Sequence, residues 1–264
     1  MNTTVLLIPH YNNPTGLLNS LKSIGVDQAI DILVVDDGSR QNRIDEALLN
    51  AAFRGQGEIS YEYLPQNKGI EYALNRGLEI IQSRGYQWIA RLDCGDICLG
   101  NRFRLQQEFL EQHPEVKIVG TNVTAADTEG KFLYHICMPE TATEIANKMY
   151  FNSMLIHPTV MFSAEVLQTV GFYPTRYKWA EDYAFFFEIV QKHQAANIGQ
   201  YLSQIEINDS GISISKRKIQ VRSRIAVIRK HFYFGFYPIY GLLRNYILLY
   251  VPYKVIFFIK KFKR

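Results

Sequence analysis

Three stretches of the chain place acids at the edge of an apolar run. Ile32-Leu33-Val34-Val35 leads into Asp36, Asp37, Gly38 and Ser39. Residues 86–92 lead into Asp93, Cys94, Gly95 and Asp96, and Glu181-Asp182 stands just ahead of Tyr183-Ala184-Phe185-Phe186-Phe187. Adjacent carboxylates such as Asp36 and Asp37 suit a nucleobase, a ribose hydroxyl or a metal. Acids from two strand ends can converge on one divalent cation, because hard ions such as Mg2+ take carboxylate oxygens and bridge to phosphates. A carboxylate in the first turn of a helix, facing a cleft, can take the proton of an incoming hydroxyl. Each group also has a purely structural use. Asp-Asp-Gly-Ser is a common turn, Asp96 can cap the helix that follows it, and Glu181 and Asp182 can satisfy free N–H groups at a helix start.

The elements that must position these acids follow from hydrophobic periodicity. Residues 5–8 and 32–35 are continuous apolar runs ended by turn residues, the pattern of strands buried on both faces. Leu17, Leu18, Leu21 and Ile24 lie between them at helical spacing. This βαβ unit makes its two strands parallel. The loop holding Pro9, Tyr11 and Asn12 therefore shares a sheet edge with Asp36 and Asp37, the edge where open α/β sheets bind ligands. There Tyr11 can stack on a base, or simply pack on its own loop. Residues 44–53 read as a helix, 59–64 as an alternating strand and 70–81 as a helix opening at Gly69. Lys68 at that helix start can meet a phosphate or stay a solvated turn lysine. Strands are expected over 86–92, 117–121 and 131–136, and helices over 102–112 and from Lys178 to Val190. His157, before Pro158, is expected on an extended segment, as a structural donor or a ligand.

A chain of 264 residues has room for one large domain, or one domain and a small appendage. Its 47% hydrophobic and 20% charged residues are those of a globular protein. Three cysteines form neither a disulfide framework nor a zinc pattern and suit a reducing compartment. The first apolar run is short and lacks the basic flank of a signal peptide. The net charge of +4 conceals an asymmetry: residues 216–264 hold 13 Lys and Arg and no acid, whereas residues 1–215 hold 16 basic and 25 acidic residues. A basic tail on an acidic body points to a polyanionic surface. No Gly-x-Gly-x-x-Gly follows any strand, which excludes a dinucleotide-dependent dehydrogenase. The loop after the first strand also lacks the glycine-rich basic character of a nucleotidylyltransferase.

Taken together, these segments resemble the family 2 inverting glycosyltransferases of the GT-A fold over roughly residues 3–215. The resemblance rests on Pro9-His10-Tyr11-Asn12, Val34-Val35-Asp36-Asp37-Gly38-Ser39, Asn67-Lys68-Gly69, Ala73-Leu74-Asn75 with Gly77, and Ile89-Ala90-Arg91-Leu92-Asp93-Cys94-Gly95-Asp96 with Arg102. It extends to His157-Pro158-Thr159-Val160-Met161-Phe162 and Ala180-Glu181-Asp182-Tyr183. It implies an α/β fold, a mostly parallel central sheet flanked by helices, and a nucleotide-sugar donor, with a UDP-sugar expected first. Pro9, Tyr11, Asn12, Asp36, Asp37, Lys68, Asp93 and His157 would line the donor site. Asp93 and Asp96 would hold a divalent cation, Mn2+ or Mg2+, on the diphosphate. Asp182 would be the general base, supported by Glu181. Two departures touch the metal. Gly95 replaces an acid of the usual Asp-x-Asp-Asp, and Asn208 stands where relatives often carry a histidine. Either Asp93 and Asp96 suffice, or basic residues such as Lys216 and Arg217 take over the leaving-group charge. The alternative function is a non-catalytic nucleotide-sugar-binding protein of the same fold.

The domain organisation expected is a GT-A unit over 1–215 and a basic, aromatic helical tail over 216–264. Within 231–264 no window reaches the ~20 uninterrupted apolar residues of a spanning helix. Short apolar stretches between Tyr and basic residues suit the interface of an anionic membrane; packing on the domain or a dimer contact is the other use. Long aliphatic runs do not serve nucleic-acid binding. The expectation is thus a peripheral protein on the cytoplasmic face of the inner or plasma membrane. Its acceptor would be a glycan, expected to be lipid-linked, in surface polysaccharide or lipopolysaccharide synthesis.

Overall fold

The computed structural model describes residues 2–207 and 216–251. Its first half alternates strand and helix: β1 (Thr4–His10), α1 (Pro14–Lys22), β2 (Asp31–Asp36), α2 (Glu46–Ala52), β3 (Ile59–Tyr63), α3 (Ile70–Arg84) and β4 (Trp88–Arg91). These four strands are parallel and run in the order β3-β2-β1-β4. The apolar runs are continuous because both faces are covered. Val5, Leu7, Leu33 and Val35 join one core with Leu74 and Leu78 of α3, whereas Leu6, Ile8, Ile32 and Val34 join a second with Leu17 and Leu21 of α1. The chain winds outward from β1 to β3 and then returns to place β4 on the other side of β1. That reversal is a topological switch point, and it opens a crevice at the carboxyl ends of β1 and β4.

The second half extends the sheet. It comprises β5 (Ile97–Cys98), α4 (Arg102–Gln112), β6 (Val116–Ala126), β7 (Phe132–Ile136), α5 (Ala142–Lys148), β8 (Met161–Ser163), α6 (Val166–Val170), α7 (Glu181–Lys192) and β9 (Gln194–Glu206). Here β8 is antiparallel to β4 and β6, β6 and β9 are parallel, and β5 and β7 pair antiparallel at the margins. The architecture is the α/β one expected, with a parallel half that carries the crevice and a mixed half beside it.

Several elements differ from their expected bounds. The second helix starts at Glu46 because Asp45 caps it, accepting from the Leu48 N–H at 3.0 Å. The helix after Gly69 runs on to Arg84 and ends at Gly85 in a left-handed conformation. His157 does not lie on an extended segment: His157–Thr159 forms a 3-10 turn, closed by Thr159 N–H to Ile156 O at 2.9 Å. Ile156 carries the extended backbone instead, and Pro158 fits because the first turn of a helix needs no N–H donor there. The strand β9 and the helix α5 have no counterpart among the expected elements.

Residues 217–251 form two helices, α8 (Arg217–Lys230) and α9 (Phe236–Tyr250). They pack on the sheet domain. Val227 and Ile228 enter the same core as Phe185 and Phe187 of α7. Tyr150 donates its hydroxyl to His231 O at 2.8 Å. A Cβ at Gly241 would lie 2.3 Å from Tyr150 O, so only glycine allows α9 to approach this closely. The outer face of α9 exposes Phe236, Ile239, Tyr240, Leu243, Ile247 and Tyr250 at helical spacing. Among the described residues no helix is long and apolar enough to cross a membrane. Asn208 and residues 252–264 lie outside the described residues.

Candidate active site

The first acidic edge is closed by the protein's own donors. Asp36 faces His10 in register across the β1–β2 pair, and its Oδ2 lies 2.6 Å from His10 Nδ1. Its Oδ1 accepts from Ser39 N–H at 2.7 Å. Asp37 accepts from the N–H groups of Lys68 and Gly69, each at 2.9 Å, and so ties the start of α3 to the end of β2. Burial pushes the Asp37 carboxyl up from its ordinary pKa, while those two N–H groups pull it back down. Tyr11 is half exposed beside this edge, and Asn12 N–H donates to Ser39 Oγ at 2.8 Å from a left-handed backbone (φ 50°). A hollow of about 590 Å³ opens there, lined by Asp36, Ser39, Arg40, Arg43 and Tyr63. Lys68 is exposed just ahead of the α3 N-terminus.

The second acidic edge is arranged differently. Arg91, fully buried at the end of β4, donates to the carbonyls of Leu7 and Leu92 and to Asp93 Oδ1, the last at 2.6 Å. Arg102, also fully buried, braces the strand from beneath by donating to Arg91 O at 2.7 Å. Ser20 of α1 clamps the loop, accepting from Gly95 N–H at 3.0 Å and donating to Asp96 O at 2.8 Å. Gly95 has φ 104°, a conformation that disfavours any side chain, so the residue type at this position follows from the loop. Asp96 is buried, and among the described residues its carboxyl accepts only from Glu206 N–H, at 3.0 Å. Burial, then the charge of Asp93, push its carboxyl well above the usual range.

Glu206, at the end of β9, was not among the residues singled out from sequence. Its Oε2 lies 3.7 Å from where a Cβ at Gly95 would stand, so a carboxylate from a distant strand reaches the space of the missing acid. Among the described residues no three His, Cys, Asp or Glu side chains are gathered to hold a metal by themselves. The donor chemistry nonetheless suits a hard cation. The oxygens are carboxylate oxygens, and Asp96 is pushed toward protonation by burial and then by the Asp93 charge, a cost that a cation relieves. Mg2+ in particular binds through one or two carboxylates plus substrate phosphates rather than in a protein cage.

The third acidic group faces the second across Arg91 and His157. His157 Nε2 accepts from Arg91 Nε at 3.3 Å and lies 3.0 Å from the Tyr173 hydroxyl. Burial, then the Arg91 charge, lower its pKa to about 4, while Asp93 and Asp182 both act to raise it. Both carboxylates therefore lie within electrostatic reach of one neutral imidazole. Glu181 is buried, and burial followed by the Asp182 charge lifts its pKa to about 8. Asp182 is half-buried in the first turn of α7, where its Oδ1 accepts from Tyr183 N–H at 2.7 Å. The preceding Trp179 has φ 62°, an unfavourable backbone for an aromatic residue and a strain that clusters at functional sites. The structure thus brings Asp93, Asp96, His157, Glu181 and Asp182 around the β4 end, and keeps Asp36 and Asp37 at the β2 end, on the far side of β1.

Residues 5–171 match the profile of the family described as "Glycosyl transferase family 2". The chain belongs to this family. It is 28% identical over 231 residues to the "Amylovoran biosynthesis glycosyltransferase AmsE" of Erwinia amylovora, covering 85% of this chain and 84% of that protein. It is also 28% identical over 205 residues to an uncharacterized glycosyltransferase of Haemophilus influenzae, covering 76% and 74%. Among solved structures it resembles S. aureus TarS 1-349 in complex with UDP-GlcNAc, with a TM-score of 0.67, 16% identity, and coverage of 93% of this chain and 72% of that one. The share falls to 40% of a longer TarS chain. The mannosyltransferase PcManGT of Pyrobaculum calidifontis, in complex with GDP-Man and Mn2+, gives a TM-score of 0.62 at 14% identity, covering 94% and 69%. These structures share the GT-A fold, and the family makes this family 2 member a glycosyltransferase.

Proposed function

We propose that this enzyme transfers a sugar, with inversion, from a UDP-sugar to a hydroxyl of a lipid-linked glycan in the synthesis of a surface polysaccharide. The observation that carries the reading is the placement of Glu181 and Asp182 at the start of α7, where Asp182 shares with Asp93 the electrostatic surroundings of His157. Burial keeps Glu181 protonated near neutral pH, so Asp182 is the member of the pair that takes the acceptor proton. Paired carboxyls whose environments differ in this way divide acid and base roles between them. The nucleoside sits over the β1 and β2 ends, with Tyr11 against the base; Asp36 and Asp37 shape that floor rather than offering free oxygens. Asp93 and Asp96, with Glu206 beside them, would hold a divalent cation, which would supply charge neutralisation at the diphosphate. One nitrogen of the Arg217 guanidinium donates to Leu248 O and Val251 O at the end of α9, each at 2.6 Å.

The acceptor class is supported by the outer face of α9. Six exposed apolar residues in one stripe, next to cationic α8, are suited to lie in the interface of an anionic membrane. On this reading the enzyme works at the cytoplasmic face of the membrane, with residues 1–215 as its catalytic unit and 216–264 as the membrane-facing one. The name of AmsE points to polysaccharide synthesis and the TarS complex to a UDP-sugar. The test is a donor panel: UDP-, dTDP- and GDP-sugars are incubated with the full chain and Mn2+ or Mg2+, then with EDTA, and released nucleoside diphosphate is measured. Cation-dependent UDP release from one donor is expected. Release that ignores EDTA would remove the cation from the reading, and absence of both release and donor binding would contradict it altogether.

A further inference from the structure

We infer that His157 is held in one tautomer, with its proton on Nδ1, and that this N–H binds a hydroxyl of the sugar carried by the donor, beside Asp93. The inference deepens the proposed transferase reading and rests on it. The decisive contact is at the other ring nitrogen. Arg91 Nε donates to His157 Nε2 at 3.3 Å. A guanidinium has no acceptor, so the nitrogen it faces carries a lone pair and no proton. An imidazolium would set N–H against N–H there, so the ring is neutral. The Tyr173 hydroxyl, 3.0 Å from the same nitrogen, gives its hydrogen to it as well. A neutral imidazole then keeps its one proton on the opposite nitrogen. Nδ1 has no hydrogen-bond partner among the described residues, and His157 is part-exposed, so this donor is open rather than sealed.

Arg91 also fixes what stands next to the imidazole. Its Nε and Nη2 hydrogens point along one edge of the planar guanidinium. Nε meets His157, and Nη2 meets Asp93 Oδ1 at 2.6 Å. His157 and Asp93 are thus side by side on a single cation. That cation is fully buried, whereas the Asp93 side chain is 35% exposed. The imidazole has little freedom to turn away. Its ring lies against Tyr173 and, at a steep angle, Phe186 of α7, with centroids 5.4 and 5.7 Å apart. Asn75 of α3 clasps Tyr173 through both its N–H and its carbonyl, each at 2.9 Å. Gln106 of α4 holds the far end of the 3-10 turn by donating to Thr159 O at 2.8 Å. A fixed donor beside a carboxylate acceptor matches a hydroxyl, which gives its hydrogen to Asp93 and takes the N–H of His157. A phosphate oxygen takes only the N–H and is repelled by Asp93. Because the imidazole is neutral, it orients the sugar and adds no charge at the diphosphate. Arg91 and Tyr173, both buried, are positioning residues that act through His157.

Two measurements on the full chain test the site. The first is histidine nitrogen NMR near neutral pH on isotope-labelled protein, with the His157 signals assigned by their loss in His157→Gln. A protonated Nδ1 and a bare Nε2 are expected. A protonated Nε2, or equal occupancy of the two tautomers, would overturn the site. Arg91→Met removes a donor facing Nε2 and should mix the tautomers; an unchanged Nδ1–H there would remove Arg91 as the positioning residue. Should Arg91→Met fail to fold, the native spectrum still decides the tautomer. The second is calorimetric binding, with Mn2+ present, of UDP, UDP-glucose, UDP-galactose and UDP-N-acetylglucosamine. His157→Gln sets an amide oxygen near the place of Nε2, so Arg91 and Tyr173 keep an acceptor while the Nδ1–H is gone. The sugar donor bound by the native chain is expected to lose about 10-fold in affinity, and UDP to lose nothing. An equal loss for UDP would assign the N–H to a phosphate oxygen, and no loss for either would leave His157 without a ligand; each overturns the inference. A chain with the expected tautomer that binds neither UDP nor any of the three donors would instead contradict the transferase reading, so the two failures are distinguishable.

Discussion

The ends of β2 and β4 look alike in sequence, since each is an apolar strand running into two acids and a glycine. Their carboxylates have opposite fates. At the β2 end Asp36 is held by His10 and Ser39, and Asp37 by two N–H groups at the start of α3. At the β4 end Asp93 has one arginine, and Asp96 has one N–H and feels the charges of Asp93 and Glu206. Acids that are fully hydrogen-bonded stabilise a fold, whereas acids that repel one another with few donors are poised for a cation or a substrate. The same kind of motif is therefore closed by the fold's own donors at the β2 end and left with few donors at the β4 end, on the two strands that flank β1.

The comparison can be broken at several points. The largest effect is expected at the chemical side: Asp182→Asn should lower sugar transfer about 10³-fold while leaving UDP binding intact, as read by UDP release and calorimetry. On the scaffold side, Asp37→Asn should lose about 2–3 kcal/mol of stability, because two buried N–H groups lose a charged acceptor. Urea unfolding measures it.

Glu181 provides a pH-dependent test. Its folded pKa of about 8 lies above the ordinary 4.5, so between roughly pH 5 and 8 the folded chain holds a proton that the unfolded chain has released. Stability falls as pH rises through that window. Glu181→Gln should flatten this slope and gain on the order of 2–4 kcal/mol at pH 8 relative to pH 5. A slope unchanged in the variant would remove the buried protonated carboxyl from the account. The smallest effect is expected at Glu206. Because it is exposed, Glu206→Gln should raise the Mn2+ concentration needed for half-maximal turnover by about three-fold.

Much of this arrangement was legible in the sequence. Ile32 to Val35 and Val5 to Ile8 have no polar interruption, so two-faced burial and parallel pairing follow directly, and with them the edge where Tyr11 and Asp36 meet. The roles of the acids were less legible, because hydrogen-bond partners come from far along the chain. Asp37 is 31 residues from Lys68, and Asp96 is 110 from Glu206. The strand that carries Glu206, Gln194–Glu206, has mixed polarity and is ordered by its long pairing with β6 rather than by its own periodicity. Arg91 was read as part of a strand; its buried position beneath Asp93 arises only from tertiary packing.

The most direct test of the contrast crosses the two assays on one pair of variants. The melting temperature is measured for Asp182→Asn, and turnover per folded molecule for Asp37→Asn. The account predicts that Asp182→Asn melts within about 2 °C of the native chain. It also predicts that Asp37→Asn melts about 5–10 °C lower yet keeps most of its turnover once folded. A folded, stable Asp37→Asn protein without turnover, or an Asp182→Asn protein that unfolds, would contradict the division of scaffold from chemistry between the two acidic groups.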